Sequence, residues 1–126
     1  YIDFVKWLKE KEPNAIIWTL TNGSRTTSYL HELNELSHIN FSIHPEFIND
    51  RYINKLERFC EKVNLPCKIK IMYLPKYEEL ITQVYTRFNK KFKKVYTMTV
   101  PLWDMNNNMK LMNYTDDQFK FIHATQ

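Results

Sequence analysis

The hydrophobic positions of this chain alternate between two periods, one typical of strands and one typical of helices. Strand patterns cover residues 15–21, 38–44, 67–74 and 95–100. Helical spacing of apolar residues predicts helices over residues 2–8, 27–36, 50–63, 76–92 and 114–122. The sequence therefore predicts the order αβαβαβαβ, followed by a loop from residue 104 and a short last helix with its N-cap near Thr115.

Each predicted strand is joined to the next by one helix, which forces parallel strands with right-handed crossovers. We expect one α/β domain over residues 1–126, built from repeated βα units with four parallel strands. The spacing fits either a fragment of a TIM-barrel-like sheet (a partial β/α barrel) or an open, doubly wound sheet. Polar residues at alternate strand positions favour the barrel, because a sheet covered on both faces is more uniformly apolar.

Alternation divides the side chains of each strand between two faces. The predicted polar face comprises Thr19, Thr21 and Gly23, then Asn40, Ser42 and His44, then Lys68, Lys70 and Met72. A lysine inside a sheet is costly to bury, so Lys70 is expected beside a carboxylate or facing a ligand. The alternative is that these polar groups satisfy one another and water.

Gly23 is the only glycine in the chain, and it directly follows the first predicted strand. Glycine is the residue for a positive φ or for close approach of the backbone to a ligand. In parallel α/β proteins, ligands bind at the carboxyl ends of the strands. The position of Gly23 therefore points to a binding site at that edge of the sheet.

Composition and charge indicate a packed domain of 126 residues with 44% hydrophobic residues and a net charge of +4. The densest basic run, residues 89–94, ends a predicted helix, where cations complement the helix dipole. A solvated helix end is the favoured interpretation, and a patch that contacts phosphate or RNA is the alternative. Nucleic acid is therefore not the expected partner.

The two cysteines, Cys60 and Cys67, lack the spacing of a zinc site or a redox motif. We interpret both as buried, inert thiols, which indicates a reducing, cytoplasmic setting. The four histidines form no metal-ligand spacing either. No apolar run has the length of a membrane span, so a membrane partner is not expected.

Three strand ends carry a resemblance to a known family: Thr19-Leu-Thr-Asn-Gly23, then residues 39–45, then residues 68–75. Their order and spacing, over about residues 1–103, resemble the middle of a radical S-adenosylmethionine (radical SAM) enzyme. That family has a partial (β/α)6 barrel, so the resemblance implies S-adenosylmethionine as a cofactor. It also implies the site residues: Thr21, Asn22 and Gly23 near the adenosine or methionine part, Ser42 and His44 near the ribose and carboxylate, and Lys70 near the carboxylate or the substrate.

The chain lacks two elements of that family, the CxxxCxxC loop that holds a [4Fe-4S] cluster and the glycine-rich GGEP segment. Both would precede Tyr1, so we expect a fragment of an enzyme whose full-length form cleaves S-adenosylmethionine reductively. The cluster then belongs to the full-length parent only, and the isolated chain is expected to be inactive.

Two alternatives to the enzyme fragment stay open. One is a natural, cluster-free relative, and the other is a non-catalytic α/β module that binds or interacts with a partner. A partial barrel also has an unpaired first strand, which predicts self-association through that exposed sheet edge. The substrate and the role of the last 20 residues stay unassigned.

Overall fold

The computed structural model describes residues 1–63, 65–104, 110–111 and 113–126. The helices within these residues are α1 (Ile2–Lys11), α2 (Thr27–Leu36), α3 (Asp50–Lys62), α4 (Glu78–Lys91) and α5 (Asp116–Ala124). The strands are β1 (Trp18–Thr21), β2 (His38–Ile43), β3 (Cys67–Met72), β4 (Val95–Val100), β5 (Trp103–Asp104) and β6 (Lys110–Leu111). The predicted alternation of helices and strands is therefore confirmed.

Local chemistry explains where the elements begin and end. Asn49 caps α3, its side chain accepting a hydrogen bond from the Tyr52 N–H at 2.8 Å. Thr115 caps α5 in a reciprocal capping box with Gln118. Pro75 opens a short 3-10 turn ahead of α4, so α4 starts two residues later than the pattern predicts.

Part of the predicted loop after β4 is paired instead. β5 and β6 run antiparallel, with Trp103 opposite Leu111 and Asp104 opposite Lys110. The rest of that predicted loop, residues 105–109, lies outside the described residues.

The large sheet has the order β1-β2-β3-β4, and every neighbouring pair is parallel. Because each right-handed crossover advances in the same direction, the helices between the strands lie on one face of the sheet. A doubly wound sheet reverses direction within its order, and this one does not. The sheet is thus singly wound, as in the predicted barrel fragment.

One face of the sheet forms the core and the other is open. The core face is covered by the helices and carries Ile39, Phe41, Ile69, Ile71 and Thr97, all fully buried. On the opposite face, Trp18 is 54% exposed and Leu20 is 66% exposed. The sheet therefore has one packed face and one face on which large apolar side chains meet solvent, which we call the open face.

The predicted polar face is correct for β2 and β3 but wrong for β1. Asn40 pairs with Lys68 and Ser42 with Lys70, so these four side chains share the open face. Thr19 pairs with Ile39 and Thr21 with Phe41, which places both threonines on the core face. Alternation shows which residues of one strand share a face, but the match between strands depends on register.

The two edges of the sheet differ. At β4, the Asn89 side chain accepts a hydrogen bond from the Thr97 N–H at 2.8 Å and donates one to the Thr97 carbonyl at 3.1 Å. The Thr99 N–H donates to the Thr125 carbonyl at 3.2 Å. The described residues provide no comparable cap at β1, so only the β4 edge is closed.

Candidate functional site at the strand ends

The turn after β1 is built by its own polar side chains. The Thr21 hydroxyl accepts a hydrogen bond from the Gly23 N–H at 3.1 Å, and Asn22 Oδ1 accepts one from the Ser24 N–H at 3.0 Å. Gly23 has a φ of +73°, in the left-handed region. A Cβ on Gly23 would lie 2.6 Å from the Tyr52 hydroxyl oxygen and 3.1 Å from the Phe41 ring. Backbone conformation and side-chain crowding together explain the glycine.

Helix α3 holds this turn in place. The Tyr52 hydroxyl donates a hydrogen bond to the Asn22 carbonyl at 2.8 Å, and the Lys55 ammonium donates one to the Gly23 carbonyl. Burial raises the pKa of Tyr52, so its hydroxyl stays protonated and remains a donor. The turn after β1 is therefore fixed by contacts from a helix that begins some 27 residues later along the chain.

A cavity of about 280 Å³ opens at the carboxyl ends of β1 and β2, and we call it the rim cavity. Its lining consists of Asn22, Ser24, Ser42, Ile43, His44, Phe47 and Tyr52. Three of the six predicted site residues, Asn22, Ser42 and His44, thus meet in one cavity. They come from two neighbouring strand ends, as the topology of a parallel sheet requires.

The other three predicted residues lie outside the lining of the rim cavity. Thr21 and Gly23 shape the turn behind it. Lys70 lies on the open face, in register with Ser42 on one side and Met98 on the other. No described carboxylate lies within ion-pair distance of Lys70, so the first of its two expected environments is absent from the described residues.

Ser24, Phe47 and Tyr52 also line the cavity, and the sequence pattern did not indicate them. Tyr52 comes just before the apolar stripe of α3, so the helical spacing of apolar residues did not mark it as a core or site residue. One signal could have found it: a helix that follows β2 starts at the carboxyl edge of the sheet, so its first turn reaches the neighbouring strand end. Phe47 is 69% exposed, so one wall of the cavity is an aromatic ring in contact with solvent.

The cavity carries groups suited to binding rather than to nucleophilic attack. The Asn22 amide nitrogen, the Ser42 hydroxyl and the His44 imidazole can all form hydrogen bonds. His44 Nδ1 lies 3.7 Å from Glu46 Oε1, and both side chains are partly exposed. The described hydrogen bonds include none between Ser42 and His44, so this serine has no adjacent base.

The donors needed for a metal or an iron–sulfur cluster are not brought together in the described part of the chain. No three His, Cys, Asp or Glu side chains there could hold a metal ion. Cys60 and Cys67 are both free and buried. Burial raises the pKa of Cys60 and raises that of Cys67 to about 12, which disfavours the thiolate that a cluster requires. These residues do not fit a [4Fe-4S] site.

Comparisons with protein-family models, with curated proteins and with solved structures gave no match for this chain. Among the described residues, every helix is too short or too polar to cross a lipid bilayer.

Proposed function

We propose that this chain contributes part of an S-adenosylmethionine site of the radical SAM type. The main support for this proposal is the rim cavity, in which Asn22, Ser42 and His44 meet at the carboxyl ends of two parallel strands. In a singly wound α/β sheet this edge is the usual ligand site. The fold and the position of the cavity thus support the expectation that the three strand-end motifs raised.

The residues of the cavity suit such a ligand. Ser42, His44 and Asn22 offer hydrogen bonds for a ribose, a carboxylate and an amino group. Ile43, Phe47 and Tyr52 provide the apolar and aromatic surface that an adenine ring prefers. Lys70, farther along the open face, would meet the carboxylate or the substrate. Since the cysteines do not fit a cluster, the proposal covers binding alone and includes no reductive step by this chain.

Calorimetry with S-adenosylmethionine and S-adenosylhomocysteine tests this proposal. We expect wild-type binding that weakens at least about tenfold in a Ser42→Ala/His44→Ala double variant, the loss of roughly one or two hydrogen bonds. The matched control, Ser28→Ala/His123→Ala, removes the same two residue types from exposed helix positions. Equal affinity in all three proteins, or no wild-type binding at a concentration of about 1 mM, would refute the proposal.

A second candidate, a non-catalytic module that binds a partner, is favoured by the open face. Trp18 and Leu20 are exposed on β1, and Tyr96 is exposed on β4 across the same face. If this candidate is correct, Ser42, His44 and Lys70 can be replaced without loss of function. The exposed β1 strand also supports self-association, because the described residues provide no cap for its backbone edge. A dimer in sedimentation experiments is expected, and a monomer at all concentrations contradicts self-association.

The location of the protein also stays a proposal. We propose a reducing compartment such as the cytoplasm, because both cysteines are buried free thiols.

A further inference from the structure

Four cations gather beside the turn after β1, at the start of α2 and along α3. Arg51, Lys55 and Arg58 follow one another at spacings of four and three residues, which places them on one face of α3. Arg25 lies opposite, in the loop that leads to α2, with its guanidinium 4.4 Å from the centre of the Tyr29 ring. The members of this group are not adjacent in sequence, so they do not form a basic run like the one at residues 89–94.

These four side chains surround a concave surface, which we call the basic cleft. One part, about 550 Å³, is lined by Thr26, Thr27, Arg51, Asn54, Lys55 and Arg58. An adjoining part, about 320 Å³, adds Arg25 and Ser24 and reaches Phe47 and Tyr52 of the rim cavity. The cations therefore converge on a cleft rather than standing apart on a convex surface.

Among the described residues, no carboxylate lies within ion-pair distance of these four cations. The ion pairs of the described residues involve Lys6, His44, Arg87, Lys91 and Lys120, and none involves a cation of the basic cleft. Burial, and then the repulsion from Arg51, lower the pKa of Lys55. The positive charges thus repel one another across the cleft, and a bound anion would relieve that repulsion.

The backbone adds to the same field. The first turn of α2 carries no acidic residue, so the positive end of its dipole is uncompensated where it borders the cleft. Arg51 sits in the first turn of α3 next to Asp50, at a position where the helix dipole favours the carboxylate and disfavours the cation. Its location there has a local electrostatic cost and no described ion pair to offset it.

We propose that the basic cleft binds the phosphate groups of a small, multiply charged ligand. Arginine presents a planar set of donors that matches phosphate oxygens, and three exposed arginines line the cleft together with the half-buried Lys55. A concave site favours a compact ligand, whereas a nucleic-acid surface needs cations spread along a strand. The proposal does not depend on which molecule occupies the rim cavity.

The run at residues 89–94 is not part of this site. In a βα unit each helix starts at the carboxyl edge of the sheet and ends at the opposite edge. Lys90 therefore lies at the far end of α4, away from the start of α3. Because this run is far from the basic cleft, replacing two of its lysines gives a control variant with the same change in net charge.

The experiment measures binding of inorganic pyrophosphate by calorimetry at fixed ionic strength. The test variant is Arg51→Gln/Arg58→Gln, since both side chains are exposed and form no described hydrogen bond. The control variant is Lys90→Gln/Lys93→Gln, which removes the same net charge at the opposite end of the strands, where α4 finishes. Lys55 is left intact because its bond to the Gly23 carbonyl also supports the fold. Circular dichroism of the free proteins verifies that each variant is folded.

We expect pyrophosphate affinity to fall at least about tenfold in the test variant and less than about twofold in the control. Three results would overturn the proposal. The first is no binding of pyrophosphate by the wild type, and the second is an equal loss in both variants, which indicates net charge alone. The third is equal or tighter binding of citrate, a carboxylate anion, or of a single-stranded oligonucleotide.

Discussion

At the scale of single residues, Gly23 shows two independent constraints acting on one position. Its φ of +73° is unfavourable for a residue with a side chain, and the space beside it is taken by Tyr52 and Phe41. We predict that Gly23→Ala lowers the free energy of unfolding by about 2 kcal/mol, mainly from the left-handed backbone. Urea unfolding monitored by tryptophan fluorescence measures the change.

Ser24→Ala is the matched control for Gly23→Ala, because it alters the next residue of the same turn, which is exposed. Its expected effect is less than about 0.5 kcal/mol. If Gly23→Ala also lost less than about 0.5 kcal/mol, the turn would tolerate a Cβ at Gly23 and the prediction would be wrong.

Hydrophobic periodicity located the strand ends, and the resemblance to the radical SAM family then implied Asn22, Ser42 and His44 as site residues there. It did not predict Tyr52 or the convergence of Arg25 with Arg51. These contacts depend on how α3 docks against the turn after β1. The spacing of apolar residues along the sequence carries no information about that docking. A polar residue at a strand end is visible in sequence, whereas the helix that completes its surroundings is not.

At the scale of elements, Asn89 acts as a substitute for a neighbouring strand. Its amide satisfies both backbone groups of Thr97, at the outer edge of β4. We predict that Asn89→Ala lowers the free energy of unfolding by about 2 kcal/mol, because it leaves one N–H and one C=O of a buried residue unpaired. Thermal and urea unfolding of the purified variant test this value.

Asn54→Ala provides the reference for Asn89→Ala, since it makes the same replacement at an exposed position of another helix. Alanine has the higher helix propensity, so this control is expected to gain slightly in stability. If both variants behave alike, the cap at β4 contributes nothing measurable.

Element order was more predictable than the relation between elements. The βα alternation and the boundaries of β4 follow from the sequence, yet the faces of β1 were assigned wrongly. The Ile17 carbonyl accepts a hydrogen bond from the His38 N–H at 2.9 Å, and this bond sets the register that places Thr19 beside Ile39. Trp18 then stacks on His38, with ring centres 4.5 Å apart. Register is a property of two strands, so the alternation within one strand cannot specify it.

At the scale of the whole molecule, the sheet is asymmetric, with a capped edge at β4 and an open edge at β1. We predict that the proposed dimer weakens at least about tenfold in Leu20→Lys, because a lysine on an edge strand must lose solvation on pairing. Sedimentation equilibrium over a range of concentrations measures the dimerisation constant.

The Tyr96→Lys variant distinguishes a dimer that pairs through the β1 edge from a dimer in which two open faces stack. Tyr96 is exposed on the open face but belongs to β4, at the capped side of the sheet. Dimerisation through the β1 edge predicts little change in this variant. Equal weakening by both lysines would instead indicate that two open faces stack on each other.

The side chain of Asn89 also has a consequence for stoichiometry. A sheet with two free edges can add copies without limit, as fibres do. In the large sheet of this protein, joining the β1 strands of two copies would use the edge for which the described residues provide no cap, and it would leave a capped β4 at both outer ends. An assembly built through the edges of the large sheet would then stop at two subunits, because the Asn89 side chain and the Thr125 carbonyl already bond the outward backbone groups of β4 at each end.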